Sequence, residues 1–212
     1  MNIVVFTGAG LSVESNIPTF EDPEGIFSRY DKDLVATAGG YDRDWETFNQ
    51  FWTELKEFLL DNENIMPNEG HIAIAEWEKK NKDDFTVITT NVDDLQERAG
   101  SSKVLHIHGE ITQTRKIDEN RSFPDCVLFG EDKRHLDECN KLVINSDLLV
   151  YVGSSISTGD EGFLYLAKNN NIKTIEINPK QTDYSDEFDL SIRRTAKDVL
   201  GILADLTLLL EK

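Results

Sequence analysis

The first twelve residues restrict the fold more than any other stretch. Met1-Asn2-Ile3-Val4-Val5-Phe6-Thr7-Gly8-Ala9-Gly10-Leu11-Ser12 opens with a continuous run of β-branched and aromatic residues and stops abruptly at Gly-x-Gly. An apolar run without polar alternation predicts a strand buried on both faces, as in a parallel sheet, that feeds a tight turn. Ser12 is placed to N-cap a helix beyond that turn. A strand, turn and helix in this order aim backbone N–H groups and a helix N-terminus at one point, where an anionic pyrophosphate can sit. The glycine pair serves equally well as a purely structural turn, since Val13 stands where the dinucleotide fingerprint has its third glycine.

A chain of 212 residues can bury one core and carry a small appended lobe. No apolar run is long enough for a transmembrane helix, and the chain enters its first strand without a basic segment, apolar core and cleavage site, so a cytoplasmic protein is expected. Forty acidic against 22 basic residues give a formal charge of -18. That field repels nucleic acid and anionic lipid, neither of which is expected as a partner, and it draws basic peptides; it also serves solubility alone. Cys126 and Cys139 are too few for a four-cysteine zinc site or a disulfide framework, and read as buried thiols.

Further along, Pro18, Pro23, Gly25, Gly39 and Gly40 punctuate the chain, and residues 21–41 read as a mobile segment over a site rather than core. Phe48, Phe51, Trp52, Leu55, Phe58 and Leu59 fall at helical spacing over residues 45–60. A loop through Met66 and His71 leads into a helix to about Lys80, with Ile72, Ile74, Ala75 and Trp77 as its apolar members; His71 reads as a capping or packing residue. Residues 85–90 form a second buried strand, followed by Asn91-Val92-Asp93, where polar groups meet the ligand edge of an open α/β sheet unless they serve only as helix caps. A third strand over residues 103–109 puts His106 and His108 on one face, with His108 at its end as the better general-base candidate and His106 as a packing or supporting residue. Residues 110–122 read as a polar hairpin or loop, and residues 123–131 as an edge segment whose backbone could accept a peptide by strand addition. The remaining pattern is a helix over 135–144, a strand over 147–153 ending in Gly153-Ser154-Ser155, a helix over 162–170, a strand over 173–179, and one amphipathic helix from Ser191 to Leu210 that includes Ile192, Val199, Leu200, Ile202, Leu203, Leu206 and Leu209. Strands alternating with helices argue for a doubly wound parallel sheet with its site along the carboxyl edge.

Taken in order, Gly8-Ala9-Gly10-Leu11-Ser12, Ile17-Pro18-x-Phe20, Pro67-Asn68-x-x-His71, Thr90-Asn91-Val92-Asp93, His108-Gly109 and Val127-x-Phe129-Gly130-Glu131, with Gly153-Ser154-Ser155 and Ile177-Asn178, resemble the sirtuins, the NAD-dependent protein lysine deacylases. The resemblance covers essentially the whole chain and rests on the order and spacing of the blocks. It implies a Rossmann-like α/β fold, a single NAD-binding domain over residues 1–212, and reduced small-lobe segments at roughly 21–66 and 110–126. It further implies that Gly8, Ala9, Gly10, Ser12, Ile17, Phe20, Thr90, Asn91, Asp93, Gly153, Ser154, Ser155, Asn178 and Ala196 contact NAD. His108 would be the general base, with Asn91 and Asp93 beside it as catalytic residues. Val127, Phe129 and Gly130 would take the acyl-lysine peptide. In that family's chemistry the acyl-lysine oxygen attacks ribose C1′ as nicotinamide leaves, and a ribose hydroxyl deprotonated with help from the histidine then attacks the alkylimidate. The products are lysine, nicotinamide and O-acyl-ADP-ribose.

Two departures from the family pattern stand out. Most sirtuins carry two Cys-x-x-Cys pairs before the Val-x-Phe-Gly block, whereas residues 110–126 hold a single cysteine, so no metal is expected. Glu21 stands where the family has arginine after the phenylalanine, leaving Arg29 or another cation to meet the phosphates; Thr19 replaces the aspartate, and Thr89-Thr90 stands where the family has Thr-Gln. No clear Tyr-x-x-Arg pair occurs, since Trp52 is followed by Leu55, which points to an uncharged acyl group. The rival expectations are an NAD glycohydrolase or ADP-ribosyltransferase, and a non-catalytic module that binds NAD or ADP-ribose.

Overall fold

The computed structural model describes the chain except residues 20–22, 24, 82–83, 157–158 and 211–212, and the side chains of 27 and 206–210 also lie outside the description. The expectations on Phe20 and Glu21, and on the side chains of Leu206 and Leu209, therefore fall outside the described residues. In chain order the strands are β1 (Ile3–Thr7), β2 (Phe85–Thr89), β3 (Val104–His106), β4 (Gly109–Lys116), β5 (Ser122–Cys126), β6 (Leu148–Val152), β7 (Lys173–Ile177) and β8 (Leu190–Ile192). The α-helices are α1 (Lys32–Val35), α2 (Gly40–Arg43), α3 (Trp45–Leu60), α4 (Glu69–Asn81), α5 (Leu95–Arg98), α6 (Leu136–Ile144), α7 (Glu161–Asn169) and α8 (Ala196–Leu210).

Six strands pair in parallel in the order β3-β2-β1-β6-β7-β8, and β4 and β5 form a separate antiparallel pair. β1 is central because every one of its residues is buried on both sides. Val4 and Phe6 pack into a cluster with Cys139, Val143, Phe163 and Leu164 of α6 and α7. Ile3 and Val5, one step out of phase, pack on the opposite face with Ile74 and Trp77 of α4 and Leu200 of α8. Two-sided burial explains the unbroken apolar run. Each such side chain withdrawn from water contributes on the order of 2 kcal/mol before chain entropy is counted. The strand order reverses between β1 and β6, which opens a crevice beyond their carboxyl ends.

A third cluster draws on no strand of the large sheet. Phe48, Phe51, Trp52 and Leu55 of α3 meet Val35, Ile65, Leu95, Ile111, Phe123 and Leu128. Phe123 sits edge-on to Phe48 at 5.0 Å, with the Arg115 guanidinium 4.5 Å over its other side. Trp52 Nε1 donates to the Val35 carbonyl at 2.9 Å, which gives the buried indole its partner. Asp44 caps α3, its carboxylate accepting the Thr47 N–H at 3.1 Å and the Thr47 hydroxyl at 2.7 Å.

Several expectations are corrected. Part of residues 25–41 does belong to the core: α1 lies there, α2 begins at Gly40, and Val35 is wholly buried in the third cluster. Ile192 belongs to β8, not to the closing helix, and α8 begins only at Ala196. Ile72 and Ile202 are exposed, whereas Ile74, Trp77, Leu200 and Leu203 carry the packing of their helices. β3 stops at His106, so His106 and His108 do not share a strand face: the Ile107 N–H turns to the Thr89 carbonyl at 3.0 Å, and the His108 carbonyl accepts the Val127 N–H at 2.7 Å. Among the described residues, no helix is long and apolar enough to cross a membrane.

Candidate active site

The carboxyl ends of β1, β2, β3, β6 and β7 deliver five short segments to one edge. After β1, the chain makes two 3-10 turns, Ala9–Leu11 and Val13–Ser15, rather than an α-helix. The N–H groups of Gly8, Gly10, Leu11 and Ser12 are spent on the carbonyls of Val152, Gly153, Gly8 and Ala9. The expected combination of free turn amides and a helix N-terminus is therefore absent at these four residues. Ser12 is no N-cap either, because its side chain makes no capping bond to the turn. The glycines serve a different need: a Cβ on Gly10 would stand 2.6 Å from the Gly153 carbonyl, and one on Gly153 (φ +62°) 2.4 Å from the Leu11 nitrogen. The turns after β1 and β6 approach more closely than any side chain permits.

The turn after β2 is built from side chains. Asn91 donates through Nδ2 to the Gly8 carbonyl at 3.2 Å and to Ser12 Oγ at 3.1 Å. Ser12 Oγ donates in turn to Asp93 Oδ2 at 3.0 Å, and Asp93 Oδ1 accepts the Leu95 N–H at 3.1 Å. Burial pushes the Asp93 carboxyl up, against the Leu95 and Ser12 hydrogen bonds and the nearby His106 charge, which pull it down. Thr7 and Thr89 join β1 to β2 beneath this turn through a 2.8 Å hydroxyl bond, and Thr90 donates its N–H to the Thr7 carbonyl.

His71 closes the same network from α4. Its Nδ1 accepts the Asn68 N–H at 3.3 Å, which leaves the Nε2 hydrogen facing Ser12 Oγ at 3.4 Å. Burial depresses its pKa to about 4, with Glu97 opposing, so the ring is neutral at ordinary pH. Asn68 holds the Leu11 carbonyl at 2.7 Å and Ser15 Oγ at 2.9 Å, and caps the start of α4 through Gly70 N–H at 2.9 Å. Neither Asn68 nor His71 stood among the expected site residues. Their link to Ser12 is tertiary, and its signal in the sequence was the short Asn-x-x-His block at a helix start.

His108 lies just past β3, partly buried. Burial depresses its imidazolium, Asp160 opposes that, Lys133 reinforces it, and a Thr90 backbone hydrogen bond opposes it; the net shift is downward, which leaves a neutral base. Lys133 and Asp160 form a 2.7 Å ion pair, and neither was foreseen. Asn178 donates to the Ser154 carbonyl at 2.9 Å, which ties the end of β7 to the turn after β6. Ser154 is buried and Ser155 exposed. Ile17 packs against the third cluster and Ala9 is exposed at the crevice. Ala196 opens α8 behind Gly70, where a glycine Cβ would come within 2.9 Å of both Ala196 and Leu11. Arg29, considered as a phosphate-facing cation, faces Glu54 instead.

The free edge expected over 123–131 is also corrected. β5 ends at Cys126, and the N–H groups of Val127, Leu128 and Phe129 are spent on the His108 carbonyl, the Glu131 carboxylate and the Ala36 carbonyl. The Phe129 carbonyl accepts from Ala38, while the ring stands half exposed beside Gly130 (φ +94°).

The chain matches the Sir2 family over residues 8–123. It belongs to the Sir2 family. An NAD-dependent protein deacylase of Shewanella oneidensis is 31% identical over 96% of this chain and 93% of its own length. Among solved structures, a Sir2 homologue in complex with ADP-ribose superposes with a TM-score of 0.87 at 30% identity, covering 99% of this chain and 94% of the other. A Sir2 homologue in complex with NAD superposes with a TM-score of 0.84 at 30% identity, over 99% and 90% of the two chains. In this Sir2 chain, no group of three or more histidine, cysteine, aspartate or glutamate residues is placed to hold a metal among the described residues. Burial pushes both cysteine thiols up, Cys139 to about 12, and they lie in different clusters. At the β4–β5 hairpin, Arg115, Phe123 and Phe48 stack on one another.

Proposed function

We propose that this Sir2 chain is an NAD-dependent protein lysine deacylase that transfers an uncharged acyl group to ADP-ribose and releases nicotinamide, and that its small lobe works without zinc. One observation carries the reading. Ser12, Asp93 and the partly buried Asn91 form a hydrogen-bonded set between the turns after β1 and β2, with the neutral His108 imidazole leading out of β3. When bound there, NAD supplies the ribose carbon from which nicotinamide leaves as the acyl-lysine oxygen takes its place.

Gly8, Ala9, Gly10, Ser12, Ile17, Phe20, Thr90, Gly153, Ser154, Ser155, Asn178 and Ala196 are assigned to the nucleotide crevice, and Asn91 and Asp93 to its nicotinamide end. The two closely packed glycine turns exclude side chains from the crevice floor. Asn91 and Asp93 present an amide and a carboxyl to a centre that gains positive charge, where fixed dipoles in a dry site act strongly. His108 takes a proton from a ribose hydroxyl, a task its lowered pKa suits because the free base predominates at neutral pH. Phe129 offers an apolar wall to the acyl-lysine stem, Val127 and Gly130 flank it, and the chain's charge of -18 favours lysine-rich partners.

His108→Ala tests the assignment. Deacylation of an acetyl-lysine peptide is expected to fall at least about a thousandfold while NAD affinity stays within a few fold. Undiminished turnover removes the histidine from its role.

A further inference from the structure

His106 sits two residues before the proposed base, yet its ring is turned to other work. It is 4% exposed, and both nitrogens are engaged: Nδ1 lies 2.8 Å from the Asn91 carbonyl oxygen and Nε2 2.8 Å from Glu97 Oε1. A carbonyl oxygen and a carboxylate oxygen can only accept. Both ring nitrogens must therefore donate, and only the imidazolium carries two N–H groups. A neutral ring would turn a lone pair on one of these oxygens and lose that bond.

The two acceptors lie at opposite ends of one turn. Asn91 begins it immediately after β2, Glu97 lies on α5, and Asp93 stands between them, so His106 spans the segment from the neighbouring strand. Resting on the deacylase reading above, we infer that His106, as an imidazolium clamped by Glu97, is the positioning residue that fixes the Asn91 to Asp93 turn for nucleotide binding, so that nucleotide affinity is lost when this ring gives up its proton.

The charged surroundings favour the cation. Burial alone depresses the imidazolium, but the Glu97 hydrogen bond and charge, the Asn91 carbonyl and the Glu110 carboxylate outweigh it, and the net shift is upward. Asp93 faces the ring from the turn itself, and His71 across Glu97 is neutral. The two histidines of the His-x-His segment thus divide the pH range: His108 must be free base, which sets an acid limb for turnover, and His106 must be charged, which sets an alkaline limb for binding. Glu97 is 40% exposed, so it can be altered with little effect on the fold.

Calorimetric titration of the full chain with NAD between pH 6 and 9.5 tests this, with wild type, Glu97→Gln and His106→Gln compared and thermal melts run at each pH. Wild type is expected to bind NAD with an affinity that declines on the alkaline side. Glu97→Gln should match wild type at pH 6 and begin its decline about one pH unit lower or more, since loss of an adjacent opposite charge moves a pKa by that much. His106→Gln should bind about tenfold more weakly at pH 7 and show no alkaline decline. A purely structural role would alter melting temperatures without moving the limb. An NAD affinity that follows the same pH profile in all three proteins overturns the inference and leaves the deacylase reading standing; wild type that binds no NAD at any pH overturns both.

Discussion

The turns after β1 and β6 are locked to each other through backbone, with the Gly10 N–H on the Gly153 carbonyl at 2.8 Å and no space for a Cβ on either residue. The turn after β2, at the same sheet edge, is held by side chains: Ser12 from β1's turn, far along the chain, and His106 and Glu97 from the neighbouring strand and helix. The difference teaches what each turn can tolerate. A backbone lock fails as a unit when anything is added to it. A side-chain lock fails bond by bond and responds to pH.

The largest expected effect breaks the backbone lock. Gly153→Ala must place a methyl 2.4 Å from the Leu11 nitrogen at a φ of +62°, and no flexible group is there to yield. Urea unfolding should show a loss of more than about 3 kcal/mol, or no folded protein at all; a loss below about 1 kcal/mol would mean that the two turns separate freely.

His71 gives the next effect, and it appears only on acidification. Its folded pKa of about 4 lies below the ordinary value of 6.5, so the unfolded chain binds the proton more readily. The associated stability is complete above pH 6.5, declines as the pH falls from 6.5 towards 4, and declines no further below that. The loss amounts to about 3 kcal/mol. Urea midpoints at pH 7 and pH 4.5 should differ more in wild type than in His71→Asn, and equal differences would deny the buried neutral ring.

Ser12→Ala removes the hydroxyl shared by Asn91, Asp93 and His71. A cost of about 2 kcal/mol is expected, because a buried carboxyl and an amide each lose a partner while the packing is kept. Equilibrium unfolding at pH 7 reads it, and it should fall clearly short of the Gly153→Ala loss. The smallest effect is a control in the opposite direction. Gly201 lies inside α8, and a methyl added there would meet nothing within 4 Å, so Gly201→Ala should stabilise by about 0.5–1 kcal/mol in the same assay.

The contrast also marks what could be read in the residues alone. β1, β2 and β6 are legible because two-sided burial leaves near-continuous apolar runs, and α3 because its aromatics repeat at helical spacing. β8 is not, since Leu190-Ser191-Ile192 is short, largely uncovered, and close enough to α8 for Ile192 to mimic a helical position. Its strand character comes from pairing with β7, including the Asn178 N–H on the Ile192 carbonyl. Glycines announced the turns after β1 and β6 but not the purpose they serve, because nothing local shows that Gly10 and Gly153 meet across 143 positions of chain. Likewise Lys133 and Asp160, or His71 and Ser12, become partners only once the sheet has folded.

Release of nicotinamide by the purified chain tests the central claim most directly, with NAD supplied alone, with an acetyl-lysine peptide, and with the same peptide unacylated. Release that occurs only with the acylated peptide, in step with formation of O-acetyl-ADP-ribose and free lysine, is the predicted result. Equal release without peptide would make the chain an NAD glycohydrolase, and NAD binding with no release under any condition would make it a nucleotide-binding module; either contradicts deacylation.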